Sequence, residues 1–134
     1  MKGGNTMKRG SYPMLALAAI VLGLLFGIAG VLHTISVISL AVRQGKPYDF
    51  RMVSLLATGG VLIYPALINI GTSRWIGQGH PWALAMSAVV TLPVMVYLAL
   101  LVPAHHSSQM VGVIANALYL CFLTGAWVSA YRGR

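Results

Sequence analysis

Four long apolar runs, separated by short polar stretches, make up most of the chain. The first begins near Met14 and continues through LALAAIVLGLLFGIAGVLHTISVISLAV to Val42. The second is MVSLLATGGVLIYPALINIGTS, residues 52–73; the third is WALAMSAVVTLPVMVYLALLV, residues 82–102; the fourth is QMVGVIANALYLCFLTGAWVSAY, residues 109–131. A spanning helix needs about 20 apolar residues, and none of the four runs contains Lys, Arg, Asp or Glu. Strands of a membrane barrel would be shorter and would alternate polar with apolar positions. Helices also close their own backbone hydrogen bonds, which lipid cannot do for them. The pattern therefore predicts an all-α membrane protein, a four-transmembrane-helix bundle with short loops. Its helices are expected at about 14–42, 52–73, 82–102 and 109–131, in a single domain over residues 12–134 that follows a flexible basic tail at 1–11.

The first run is longer than a bilayer requires. As one helix it would measure about 43 Å, against a hydrocarbon core of roughly 30 Å. Either the helix tilts or its last turns, TISVISLAV, project beyond the core. The polar stretch RQGKPYDFR then ends it, with Gly45 suited to a C-cap and Pro47 to a stop. Lys8 and Arg9 resemble the start of a signal peptide, but the apolar run exceeds the usual length of such a segment. A retained helix is the better reading, and Met7 is an alternative start.

Composition agrees with lipid surroundings. The chain of 134 residues is 58% hydrophobic and 7% charged, whereas a soluble domain averages about 25% charged. Nine basic residues face one acid, Asp49, for a formal net charge of +8. That charge is not gathered into one basic helix or patch, so no nucleic-acid partner is expected. The basic residues flank the apolar runs, as in membrane proteins. Lys2, Lys8, Arg9, Arg74, Arg132 and Arg134 fall on one side; Arg43, Lys46 and Arg51 fall on the other. The excess places both termini in the cytoplasm and the protein in a bacterial cytoplasmic (inner) membrane. Tyr12, Trp75, Trp82, Trp127 and Tyr131 would form an aromatic belt on that side. Cys121 is the sole cysteine and has no disulfide partner in the chain. No internal repeat supports an inverted-repeat transporter.

Small residues mark one face of the first helix. Ala16, Ala19, Gly23, Gly27, Gly30 and Thr34 recur every three or four positions, and GLLFG is a GxxxG motif. Such a stripe lets helices approach closely in lipid. Gly23, Gly27 and Gly30 are thus expected in helix packing, against another helix of the chain or against a second copy. Pro65 and Pro93 sit near the middles of their helices, where each removes a backbone hydrogen bond. They are candidate hinges.

Few residues offer chemistry. His33 lies late in the first helix, and His105 and His106 lie in PAHHSSQ, read as a loop on the outer side. Three imidazoles could hold copper or zinc, and two from separate helices could hold haem b. No known metal spacing is matched, and only Asp49 on that side could orient an imidazole. No cofactor is therefore the leading expectation. Tyr97, Gln109 and Asn116 share the outer half and could form a polar pocket. His80, beside Pro81, reads as a loop residue. One acid and four histidines give little for general acid–base catalysis, and no nucleophile triad, phosphate loop or HExxH motif is present. No acid or lysine lies within a run, as proton-coupled multidrug exporters require.

These features point first to an accessory or assembly subunit of a membrane complex, acting by contact. Its partners would be the lipid bilayer and either other membrane subunits or itself as a homo-oligomer. An alternative is a small oligomeric transporter or channel for a neutral or anionic solute. A third reading is a haem- or metal-binding redox subunit built on the outer-side histidines.

Overall fold

The computed structural model describes residues 11–45, 49–105 and 107–132, with side chains at all of these except 50 and 101–109. Helices α1 (Pro13–Gln44), α2 (Phe50–Gly77), α3 (Pro81–His105) and α4 (Ser107–Arg132) follow in order. All four are long and apolar enough to cross a membrane. The protein is an integral membrane protein with a four-helix fold, and no strand occurs among the described residues.

The helix ends show why the chain turns where it does. Pro13 opens α1, where its missing N–H costs nothing. Gly45 ends α1 in the left-handed region at φ 57°, its N–H donating to the carbonyl of Val42. Asp49, the only acid, is the N-cap of α2: its Oδ1 accepts the N–H of Met52 at 2.8 Å. The α2–α3 turn is a Schellman motif. Gly79 sits at φ 68°, His80 N–H donates to Trp75 O at 3.0 Å, and Gly79 N–H donates to Ile76 O at 3.0 Å. The His80 carbonyl then accepts from Ala83 and Leu84, so α3 starts at once, with Pro81 as its first residue.

Each helix overruns its apolar run. The end turns take in Arg43, Arg74 and Arg132, whose side chains are long enough to reach the headgroup region. The stretch PAHHSSQ differs most from its reading as a loop. Helix α3 continues through Pro103 to His105, and α4 begins at Ser107. Pro103 removes one backbone bond, the one to Ala99, and continuing the helix satisfies the rest. The tail at 1–10, the stop at Pro47, His106 and Arg134 lie outside the described residues.

Helices α1 and α2 pack as one hairpin and α3 and α4 as another; α2 joins them through α3, while α1 and α4 barely touch. The N–H of Tyr12 donates to Gly77 O at 2.8 Å, tying the start of α1 to the end of α2. The α1–α2 interface is built on small residues. A Cβ at Gly23 would lie 2.7 Å from Ile70 Cγ1 and 3.1 Å from Ala66 O; one at Gly30 would lie 2.8 Å from Ile63 Cγ1 and 3.0 Å from Gly59 O. Backbones approach this closely only without side chains between them. The main core, at the α1-start end, joins Leu15, Ala19, Ile76, Leu84 and Leu123. A smaller cluster of Leu62, Val94 and Leu98 lies beyond it. Between 22% and 33% of the most apolar stretch of each helix is buried inside the chain, so the remainder is left for lipid.

Candidate functional site

Between the two hydrophobic clusters lies a group of buried polar side chains from three helices. Ser87 of α3, fully buried, donates to Asn69 Oδ1 of α2 at 2.6 Å and shares a 2.8 Å hydrogen bond with Tyr119 OH of α4. Asn69 Nδ2 donates to Thr91 Oγ1 at 3.1 Å, one turn along α3 from Ser87. Polar groups at this depth have no water to turn to, so they must satisfy one another. The cluster is neutral throughout. It can orient or hydrate a neutral group but supplies no proton donor or acceptor suited to acid–base work.

Beside the cluster is a void of about 10 Å³ lined by residues of all four helices, among them Gly23, Pro65, Asn69, Thr91 and Asn116. A single water needs roughly that space. Asn116 is buried, and its Nδ2 donates to Gly112 O of its own helix at 2.8 Å.

The second feature is a lateral groove where α1 and α4 part. It encloses about 910 Å³ and is almost wholly apolar. Its α1 wall carries Met14, Ala18 and Val21; its α4 wall carries Leu118, Phe122 and a file of small residues, Cys121, Gly125 and Ser129. All three are exposed. A Cβ at Gly125 would meet nothing within 4 Å. Ser11, Tyr12 and Ser129 give the groove a polar rim at the end where α1 begins.

No protein-family model matches the chain, and neither a curated protein nor a solved structure does.

Among the described side chains, those singled out from the sequence have separate neighbours. His33 Nε2 bonds the carbonyl of Leu55 on α2 at 3.0 Å. Tyr97 OH donates to Thr58 Oγ1 at 3.1 Å, a second polar link between α3 and α2. Asn116 meets Asn69 and Thr91 at the void, whose lining includes neither Tyr97 nor His33. His105 belongs to the last turn of α3 and Gln109 to the first turn of α4, but their side chains are outside the described set, as is all of His106. Among the described residues, no three His, Cys, Asp or Glu side chains come together. Pro65 lines the void, Pro93 is exposed, and the helix runs on through both. Gly23 and Gly30 are buried against α2, and Gly27 stands 3.2 Å from Ala66 Cβ by the same measure. Sequence reading missed Asn69, Ser87, Thr91 and Tyr119. The available signal was polar residues near the middle of apolar runs, two of them, Ser87 and Thr91, at i and i+4.

Proposed function

We propose that this protein is an accessory subunit of a membrane complex, and that it acts by seating a transmembrane helix of its partner in the groove between α1 and α4. The observation that carries the reading is the exposed file of Cys121, Gly125 and Ser129 along the groove. Small residues spaced by four admit the backbone of another helix, a fit that a lipid acyl chain does not need. The groove is open along one side of the bundle, so a partner could enter from within the bilayer. Where the four helices meet, the described residues leave a space of only about 10 Å³, which supports contact over conduction. The same reading places the protein in a bacterial inner membrane. The end bearing Arg74 and Arg132 would face the cytoplasm, as the excess of basic residues favours.

The native cysteine provides the test. A photo-crosslinker on Cys121 is compared in native membranes with one on Val89→Cys in a Cys121→Ser background, since Val89 is exposed on the far side of α3. The expected result is one discrete adduct with a second polypeptide from Cys121, absent from position 89 and lost with Gly125→Leu. Adducts with lipid alone, equal adducts from both positions, or an adduct only between two copies of this chain would overturn the reading.

A further inference from the structure

A pocket of about 300 Å³ lies between the end of α1 and the start of α2, at the opposite end of the bundle from Arg74 and Arg132. Its apolar floor includes Val37 and Ala41, both buried, and half-buried Met52. Its polar rim belongs to the helix ends: Gln44 closes α1, Asp49 caps α2, and Arg51 follows two residues on. Leu40 precedes Gln44 by four residues and Leu55 follows Arg51 by four. Each polar residue therefore has an exposed leucine one turn deeper in the membrane on the same helix face. Polar at the helix ends and apolar one turn below, the pocket matches the profile of a phospholipid.

The charges narrow the choice of headgroup. Asp49 is the one acid of the chain. Its Oδ1 accepts from Met52 N–H, and an ionised carboxylate keeps further acceptor capacity on both oxygens. Arg51 brings a guanidinium to the same rim, and among the described residues the two charges do not pair with each other. A carboxylate and a guanidinium on one rim complement a zwitterion. Phosphate accepts from the guanidinium, and an ammonium donates to the carboxylate. An anionic headgroup would meet the Asp49 charge with nothing to offset it. A choline headgroup has its positive charge but no N–H to donate.

We propose that this pocket binds the headgroup of one phospholipid carrying a phosphoethanolamine group, with the phosphate at Arg51 and the ammonium at Asp49. Its volume is at the low end of small-molecule sites, about 300–1,000 Å³. That suits a headgroup whose acyl chains remain in the bilayer beside Leu40 and Leu55. The site stands apart from the groove between α1 and α4, whose polar rim is at the other end of α1, and does not depend on what occupies that groove.

The test is native mass spectrometry of the full chain in detergent, titrated with phosphatidylethanolamine, phosphatidylcholine or phosphatidylglycerol of identical acyl chains. One phosphatidylethanolamine is expected to bind, favoured over phosphatidylcholine by roughly two- to fivefold, the range for one exposed ion pair. Asp49→Asn keeps a capping side chain and removes the charge, so it should bring phosphatidylethanolamine down to the level of phosphatidylcholine. Arg51→Gln, which touches no cap, should weaken both lipids alike, because they share the phosphate. Arg74→Gln, at the far end of α2, should change neither. Equal binding of the two zwitterionic lipids would overturn the proposal, as would a preference that survives Asp49→Asn or binding unaffected by Arg51→Gln. Tighter binding of phosphatidylglycerol would overturn it in favour of a purely anionic site. Displacement by soluble glycerophosphoethanolamine as effective as by the lipid would overturn the lipid as the source of the headgroup.

Discussion

Removing the hydroxyl of Ser87 should weaken the bundle more than its single oxygen atom suggests. Ser87 is fully buried and is the hub of two hydrogen bonds, to Asn69 at 2.6 Å and to Tyr119 at 2.8 Å. Ser87→Ala leaves Asn69 Oδ1 and Tyr119 OH each without that partner. In a water-soluble core, an orphaned buried group costs about 1–3 kcal/mol. In a membrane the loss is smaller, because the unfolded state also lacks water and finds other partners; measured side-chain couplings average about 0.6 kcal/mol and reach about 1.7. With two partners affected, Ser87→Ala is expected to cost about 1–2 kcal/mol, by the membrane values. Tyr119→Phe removes only one of the bonds and leaves Ser87 held by Asn69. The double variant should be no worse than Ser87→Ala alone, since Tyr119 has already lost its partner there. The cycle should thus give a coupling of roughly 0.6–1.7 kcal/mol. Unfolding by SDS in mixed micelles measures this, followed by the fluorescence of Trp75 and Trp82, whose rings lie 5.5 Å apart across the α2–α3 turn. Ser87→Ala indistinguishable from the parent, or effects that simply add, would refute a cooperative polar hub.

Five other substitutions, at four positions, separate the forces that hold the helices. Adjacent glycines on α2 should respond oppositely to alanine. A Cβ at Gly59 would collide with Thr34 Oγ1 and lie 3.2 Å from Gly30 O, so Gly59→Ala should lose about 1–3 kcal/mol to overpacking. Gly60 faces open space, and Gly60→Ala should be neutral or gain up to about 1 kcal/mol from reduced chain entropy; the same SDS titration reads both. Asp49→Ala removes the α2 cap and should cost about 0.5–2 kcal/mol, whereas Asp49→Asn should keep most of the stability; equal losses would mean charge, not capping, is what Asp49 supplies. His33→Leu removes the hydrogen bond to Leu55 O and should cost about 0.5–1.5 kcal/mol. Copper or zinc bound one per chain and lost with His33→Leu would instead give His33 a ligand's role.

The number, order and approximate place of the helices were legible because charge-free runs of about 20 residues have no other stable form in lipid. The ends were less so. Schellman and N-cap geometry, not the edge of an apolar run, decides the last turn, as Gln78–His80 and Asp49 show. The small-residue stripe of α1 could be read directly, but not the helix it packs on, because Gly59, Ala66 and Ile70 carry no mark naming α1 as their neighbour. Grouping Tyr97 with Asn116 by depth in the membrane leaves a related question open, namely which neighbour each one faces. Rotation about the helix axis sends Tyr97 to Thr58 and Asn116 to the void, and apolar residues on every face leave rotation unspecified. For the same reason Asn69, Ser87, Thr91 and Tyr119 read as four scattered polar residues until three helices are set in register.

In water, the apolar stripe of a helix tells it which face to bury. Here exposed Leu24, Leu32, Val89 and Phe122 are as apolar as anything in the core, and lipid tails solvate them equally well. Register must come from features that lipid cannot imitate, namely close backbone approach and hydrogen bonding. Helices α1 and α2 use the first, through Gly23, Gly30 and Gly59. Helices α2, α3 and α4 use the second, through Asn69, Ser87 and Tyr119. Between α1 and α4 the described residues show neither, and that is where the bundle opens. Yet α4 carries there the same kind of small-residue file that joins α1 to α2. Gly60 and Gly71 of α2 also meet open space, but exposed Tyr64 and Leu67 stand between them and bar a close approach. Cys121, Gly125 and Ser129 occupy successive turns without such an interruption. A packing surface of this kind with nothing packed on it distinguishes the groove from the rest of the lipid-facing exterior, and makes it the place to look for a partner.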